Sequence, residues 1–317
     1  MQNSALAGKS ALVIGGTNGI GRGMAEWLAQ QGASVTVAGR SAERGREVVE
    51  QMQQSHSSST TAGAGAATTS AGSSAPTYAF APINAQSIAD VGKFCAEYLR
   101  THDRLDYLVL TAGIATMQGR TETDEGIDQK LAIHYYGRVA AIQGLLPLLE
   151  GTAKQPNADV RVLSVFSAGV HSAYANYRTD PEVREYSLQH AANAAGFYND
   201  LALDALSREH PTVTFAHAAP GFVSTAWGTE LNPILRGVVR AIQLFAKSPE
   251  KCAQLIGAAL IAPELKGGFH LVNPNGKPAK RTPQHDEARD FVWQNTKEIL
   301  ARASAAGIAA NAAKGKK

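Results

Sequence analysis

The sequence predicts an α/β fold: a doubly wound, parallel sheet of Rossmann type in a single domain. Three observations lead there. A short apolar run, Ala11-Leu12-Val13-Ile14, ends in glycines and is followed by a helical pattern and a second β-rich run. This is a strand–turn–helix–strand unit whose crossover requires a parallel pair. Strand and helix patterns then alternate to about residue 273, as helices covering both faces of a parallel sheet demand. Finally, 44% of the 317 residues are hydrophobic and 18% charged, enough apolar material for a large core.

Each element follows from local chemistry. Residues 11–14 form a strand buried on both faces, because the run is apolar without alternation. Ile20, Met24, Trp27 and Leu28 share a helical face, and Gly32 stops that helix. Residues 34–38 are the second strand, and a helix is expected over about 42–54. From Ser55 to Ala75 every residue except His56 is Ser, Thr, Ala or Gly. Such a stretch buries too little surface to offset its ordering entropy, so a disordered insertion is expected over 55–76. A linker between domains is the other reading, disfavoured because the βα pattern resumes at Tyr78. Helices are then expected over 88–100, 127–149, 181–208 and 249–261, and strands over 107–110, 160–165, 213–218 and 268–272. A nucleotide-binding domain is therefore expected over 1–276. Residues 277–317 add a helical extension, about 286–303, and a frayed basic tail.

Composition excludes several classes. Thirty Lys and Arg against 27 Asp and Glu leave +3, too little for nucleic-acid binding, and part of it sits at Lys314, Lys316 and Lys317. Cys95 and Cys252 are too few for a disulfide scaffold or a clustered cysteine site. His171, His210 and His217 lack partners at metal-ligand spacing, so no metal is expected and these histidines read as structural. Met1–Ser10 has no signal pattern, and no uncharged apolar run approaches the roughly 18–20 residues of a membrane helix. The expectation is a soluble, cytoplasmic protein.

The turn Gly15-Gly16-Thr17-Asn18-Gly19-Ile20-Gly21 joins the first strand to the first helix. A pyrophosphate must approach a helix N-terminus closely enough to accept bonds from backbone N–H groups, and a Cβ at the contact points would block it. Glycines at fixed spacing in this context point to a dinucleotide site. An acidic residue at the end of the second strand would bind a ribose 2′-hydroxyl and repel a 2′-phosphate. This chain instead reads Val37-Ala38-Gly39-Arg40-Ser41, with no carboxylate before Glu43. Arg40 can fork onto a 2′-phosphate, with Arg22 or Ser41 assisting, so NADP(H) is the expected cofactor.

The spacing Gly-x3-Gly-x-Gly, carried by Gly15, Gly19 and Gly21, resembles the short-chain dehydrogenase/reductase family; Ile14 stands where that family's pattern begins with Thr. The resemblance extends over roughly residues 8–273. It implies that Asn84, after the third strand, contacts the adenine, and that Ala112-Gly113 retain part of an Asn-Asn-Ala-Gly turn after the fourth. Pro220-Gly221 matches the family's Pro-Gly after the sixth strand, and Thr225 stands where a hydroxyl holds the nicotinamide carboxamide. Pairing into homodimers or homotetramers through the helices at 127–149 and 186–208 is also implied.

The fifth strand runs into Ser164-Val165-Phe166-Ser167, and the carboxyl ends of parallel strands line the ligand crevice. Ser167 falls where the resemblance places the serine that hydrogen-bonds the substrate carbonyl. The family's central signature, Tyr-x-x-x-Lys, is met by Tyr186-Ser187-Leu188-Gln189-His190, residues one helical turn apart that would face the same way. No lysine occurs between Lys154 and Lys247. Tyr198 is a competing tyrosine, and its short distance to the sixth strand argues for Tyr186. The family's relay Asn, in Asn-x-x-Gly, is replaced by His134 in His134-Tyr135-Tyr136-Gly137. The implied catalytic set is thus His134, Ser167, Tyr186 and His190. A tyrosine of ordinary pKa is ionised to only about one part in a thousand at pH 7. A site without lysine therefore favours carbonyl reduction, which uses the phenol as acid, over alcohol oxidation, which needs the phenolate. His190, when protonated, replaces part of the missing charge.

Beyond Pro220-Gly221, residues 222–227 and 231–245 carry a broad apolar face. It either covers the cleft, implying a lipophilic ketone or aldehyde substrate, or packs on the core or a second subunit. Two functions stay open: an NADP-dependent carbonyl reductase, and a nucleotide-binding protein of this fold, impaired in catalysis, that acts as a sensor or scaffold.

Overall fold

A computed structural model describes residues 5–61, 75–224 and 246–314. Among them, β1 (Ser10–Ile14), β2 (Ser34–Gly39), β3 (Tyr78–Pro82), β4 (Tyr107–Leu110), β5 (Arg161–Val165), β6 (Thr214–Ala218) and β7 (Phe269–Val272) form one sheet. Its order is β3-β2-β1-β4-β5-β6-β7, and every pairing is parallel. The chain winds outward from β1 to β3, then returns to β4 on the other side of β1, so the winding reverses between β1 and β4. Ligands of such sheets bind in the crevice that this reversal opens at the carboxyl ends of the strands. The expected Rossmann-type parallel sheet is the one observed.

Strand alternation divides the core into two layers. Ala11, Val13, Tyr107 and Val109 face α1 (Gly19–Gln30), α2 (Ala42–Thr61) and α7 (Pro249–Leu260). Leu12, Ile14, Leu108 and Leu110 face α3 (Ile88–Thr101), α5 (Gly137–Ala153) and α6 (Leu188–Glu209). Burial on both faces is why these strands read as unbroken apolar runs.

Several boundaries differ from the sequence reading. Helix α2 runs on to Thr61, into the expected insertion, because extending an established helix costs far less than nucleating one; residues 62–74 lie outside the described residues. The single helix expected over 127–149 is instead α4 (Gln129–Leu131), a π-helical turn (Ala132–Tyr136) and α5, which continues through Pro147. The helix expected from 181 starts only at Leu188. The Asp180 carboxylate captures the N–H groups of Arg184 and Glu185, and Ser187 Oγ caps the first turn by accepting from the N–H of His190. At the other end α8 (His285–Lys314) starts where the expected helix does but runs past its expected end at 303, into the tail expected to fray. Its Ala288, Val292, Trp293, Ile299 and Leu300 join the same buried cluster as α3 and α6. The extension is thus part of the core, and it covers α6, a helix through which pairing with a second copy is expected.

Candidate nucleotide and carbonyl site

The glycine turn sits at the carboxyl edge of the sheet, where β1 feeds α1, and borders a cavity of about 670 Å³ that reaches from Gly15 past Arg40 and Asn84 to Ala112 and His134. Thr17, Asn18, Gly19, Ile20, Gly21 and Gly113 line it too. Asn18 caps α1, its Oδ1 accepting from the N–H of Gly19 at 2.8 Å. Gly15 has φ 92°, and a Cβ there would lie 2.4 Å from the backbone nitrogen of Ala112. A Cβ on Gly21 would lie 2.2 Å from the carbonyl oxygen of Gly15. Only bare backbone lets the helix start descend onto the turn, and that is the surface a pyrophosphate requires. At the inner end the buried Nδ1 of His134 has no hydrogen-bond partner among the described residues. A turn and helix start bare at Gly15, Gly19 and Gly21, an amide at Asn84 and this open acceptor fit a dinucleotide.

At the outer end, exposed Arg40 follows β2 directly. Ser41 Oγ accepts from the N–H of Arg44 at 3.3 Å as α2 begins, and Arg44 also lines the cavity. Arg22, expected to assist, is tied along α1 to Glu26 at 2.7 Å, an i,i+4 pair. Arg44, and not Arg22, is the arginine that lines the cavity beside Arg40. The sequence signal was the Arg40–Arg44 spacing across the start of a helix.

A buried polar network underlies the cavity. Arg138 donates to Ala112 O at 2.7 Å, to Ser164 Oγ at 2.8 Å and to Val165 O at 2.9 Å. Ser164 Oγ donates to Asn199 Oδ1, and Asn199 Nδ2 donates to the carbonyl of His134, each at 2.8 Å. Burial pulls the Arg138 pKa down to about 9, so the guanidinium stays charged at neutral pH. Burial, reinforced by the Arg138 charge, holds His134 down at about 3. His134 is therefore neutral; its Nε2 lies 2.9 Å from the Ile114 carbonyl and must carry the hydrogen, leaving Nδ1 bare. It cannot serve as a charged proton donor near pH 7. Arg138 and Asn199 were not anticipated, since neither belongs to a motif.

Phe166 stacks on His134 with ring centroids 4.6 Å apart, and Ser167 follows it in the chain without itself lining the cavity. The N–H of Ser167 donates to His217 Nε2 at 3.0 Å, and His171 Nδ1 lies 2.8 Å from Ser167 O and 3.3 Å from Ser167 Oγ. His171 and His217 both meet the carboxylate of Asp200, at 3.2 and 2.5 Å. The two histidines read as structural are thus gathered behind Ser167 by an aspartate from α6.

The other expected residues are placed differently. Tyr186 precedes the Ser187 cap, so it does not share a helical face with His190. Its Oη donates to the Gln118 carbonyl at 3.4 Å, while His190 Nδ1 lies 2.9 Å from the Glu185 carbonyl. Lys130 Nζ, 5.1 Å from the centroid of the Tyr186 ring, donates to the same Gln118 carbonyl at 2.6 Å. A lysine does accompany Tyr186, but it comes from α4 and not from the tyrosine's own segment. Tyr198, the competitor, is buried and donates to Pro181 O at 3.1 Å. Pro220 O accepts from Cys252 Sγ at 3.7 Å, Gly221 has φ 70°, and Thr225 lies outside the described residues. Asp204, His285 and Asp286 converge closely, but Asp204 is already paired with Arg208, Arg281 and Arg289, cations that oppose a metal ion. Among the described residues, no helix is long and apolar enough to cross a membrane.

Residues 9–71 match the sequence model of the family described as short chain dehydrogenase. The chain is 32% identical over 224 residues to oxidoreductase AN1596 of Emericella nidulans, a stretch that is 70% of this chain and 60% of that protein, so less than two thirds of that relative is spanned. It is 30% identical over 299 residues to polyprenol dehydrogenase of Mus musculus, covering 90% of this chain and 82% of that one. The fold is similar to that of an alcohol dehydrogenase from the archaeon Thermococcus sibiricus complexed with 5-hydroxy-NADP. There the TM-score is 0.59 at 16% identity, over 86% of this chain and 99% of the other.

Proposed function

The chain belongs to the short-chain dehydrogenase family, and from that premise we propose that it is an NADP(H)-dependent oxidoreductase that reduces the carbonyl of a lipophilic ketone or aldehyde to an alcohol. The observation that carries this reading is the bare-backbone cradle at α1 with Arg40 and Arg44 at its outer end. The α1 N-terminus receives the pyrophosphate, and the two guanidinium groups receive the 2′-phosphate. The complex of the Thermococcus sibiricus relative with an NADP derivative supports the cofactor choice. Exposed Met117 and Val170, beside Gln118 and Ser167, and the polyprenol in the mouse relative's name support a lipophilic substrate.

When bound, NADPH supplies the hydride. Ser167 Oγ donates a hydrogen bond to the substrate carbonyl, and Tyr186 holds the proton that the new alcohol requires. The tyrosine does so on leaving the Gln118 carbonyl, a long 3.4 Å contact. Pro220 and Gly221 follow the carboxyl end of β6, the sheet edge at which the site is proposed. A second reading, NADP(H) binding without turnover in a sensor or scaffold, is favoured by one observation: Tyr186 and His190 both end on main-chain carbonyls.

Steady-state NADPH oxidation with a panel of lipophilic ketones and aldehydes separates the two. Turnover that falls on the order of 100-fold in Tyr186→Phe is expected. Binding without turnover, or turnover indifferent to that substitution, establishes the second reading instead. For the cofactor, the Arg40→Ala/Arg44→Ala double variant is expected to raise the Kd for NADPH roughly 10- to 100-fold while leaving NADH unchanged. Equal losses for both cofactors, read by fluorescence titration, would refute a 2′-phosphate site.

A further inference from the structure

We propose that His171, as an imidazolium paired with Asp200, is the positioning residue that fixes Ser167 for its bond to the substrate carbonyl, a role that rests on the function proposed above.

Hydrogen bookkeeping at the two histidines leads to this. The Ser167 carbonyl can only accept and lies 2.8 Å from His171 Nδ1, so that nitrogen carries a hydrogen. The other nitrogen, Nε2, lies 3.2 Å from Asp200 Oδ2. The contact is an ion pair off the line of an ideal hydrogen bond, and neither atom has a hydrogen-bond partner among the described residues. A neutral ring would set a bare lone pair against a carboxylate in a buried site, so both nitrogens of His171 are protonated. His217 is the opposite case. Its Nε2 accepts from the N–H of Ser167, so it is bare there, and Nδ1–H donates to Asp200 Oδ1. The cluster is therefore one cation, one anion and one neutral ring, with side chains 2%, 1% and 0% exposed for His171, Asp200 and His217.

The charged groups around His171 agree with this assignment. Burial works against its charge, but Asp200 from α6 and the Ser167 carbonyl outweigh burial and raise its pKa above the usual histidine value. Burial likewise opposes the ionised form of Asp200, yet His171 and His217 hold its carboxyl below the usual range. Burial pulls His217, on β6, below the ordinary value, and the charges of His171 and of Arg138 on α5 add to that.

Three apolar side chains of similar volume would fill this space without the desolvation cost of a buried ion pair. What the charged cluster adds is control of one residue. It grips Ser167 at the backbone N–H through His217, and at the carbonyl and Oγ through His171. With the His171 N–H aimed at its oxygen, the hydroxyl accepts on that side and turns its own hydrogen outward, strengthened as a donor. Helix α6 presses on the pair: a Cβ at Gly196 would lie 2.4 Å from Ser167 Oγ and 2.6 Å from His171 Cγ.

The test uses the full chain. In 15N-histidine spectra, His171 is expected to show two protonated ring nitrogens at neutral pH, and His217 only one. In His171→Gln, kcat for carbonyl reduction is expected to fall on the order of 100-fold while the Kd for NADPH moves less than about twofold. Wild-type kcat is expected to decline as pH rises beyond the ordinary histidine value, as the imidazolium loses its proton, and His171→Gln to lack that decline. Gly196→Ala, which keeps every titratable group but displaces Oγ and the ring, is expected to lower kcat as well. A neutral His171 in an active enzyme, or a His171→Gln enzyme with wild-type kcat and pH profile, overturns this assignment alone. A chain that binds NADPH and turns over no carbonyl overturns the proposed function, and the positioning role falls with it.

Discussion

Gly21→Ala is expected to weaken NADPH binding about 100-fold, close to 2.7 kcal/mol. The added Cβ would lie 2.2 Å from the Gly15 carbonyl oxygen and 2.4 Å from Thr111 Oγ1. The first of these is main chain and cannot rotate away, so the start of α1 must move off the β1 turn. That motion costs about 1–3 kcal/mol as overpacking. It also withdraws the N–H groups that a pyrophosphate would meet. Titration of NADPH by fluorescence or calorimetry, with circular dichroism to show that the variant is folded, checks the effect. A folded Gly21→Ala chain that binds within threefold of wild type would sink the assignment of this turn as the phosphate cradle.

The second large effect concerns stability. Asp204→Ala is expected to lower the free energy of unfolding by about 3 kcal/mol at neutral pH. It should appear as a lower denaturant midpoint with unchanged slope. The carboxylate, only 4% exposed, meets His285 at 3.0 Å, Arg208 and Arg289 at 3.3 Å and Arg281 at 3.7 Å. Two of these residues, His285 and Arg289, belong to α8, so the pairings tie that helix to α6. Removing the anion leaves a cluster of cations facing one another. The lower estimate within the buried-pair range reflects the exposure of Arg208 and Arg281. The pH dependence has a definite sign. Burial opposes the charge, but the bonds from His285 and Arg208 hold the Asp204 carboxyl well below its ordinary value. Its stabilisation is therefore complete above an unfolded pKa near 4 and lost as pH falls through the depressed folded value. The gap between wild type and Asp204→Ala should close in acid; a constant gap down to about pH 2 would contradict the assignment.

The glycine turn, the apolar strands and Arg40 were legible because each is a local requirement. Gly15 and Gly21 are demanded by backbone proximity, the strands by burial on both faces, and Arg40 by the strand end it follows. The π-helical turn at His134 and the late start of α6 were not legible. They depend on which carbonyls and carboxylates compete for backbone N–H groups, and the Asp180 carboxylate decides one of these cases from outside the helix it displaces. The same reason explains why Tyr186 and His190 fall in sequence register yet share no helical face.

By itself, then, the sequence determined a parallel sheet of Rossmann type, the bare glycine turn after β1 and the identity of Ser167 just past the end of β5. It also showed that the tyrosine's own segment carries no lysine. Only the tertiary structure decided which charges surround that site. Lys130 reaches Tyr186 from α4, Arg138 supports the turn at Ala112 from α5, and Asp200 joins His171 to His217 from α6. Spacing along a chain reports the backbone geometry of one element. The electrostatics of a buried site depend on distances of 3 to 4 Å between elements far apart in sequence, and those are set only when the helices pack.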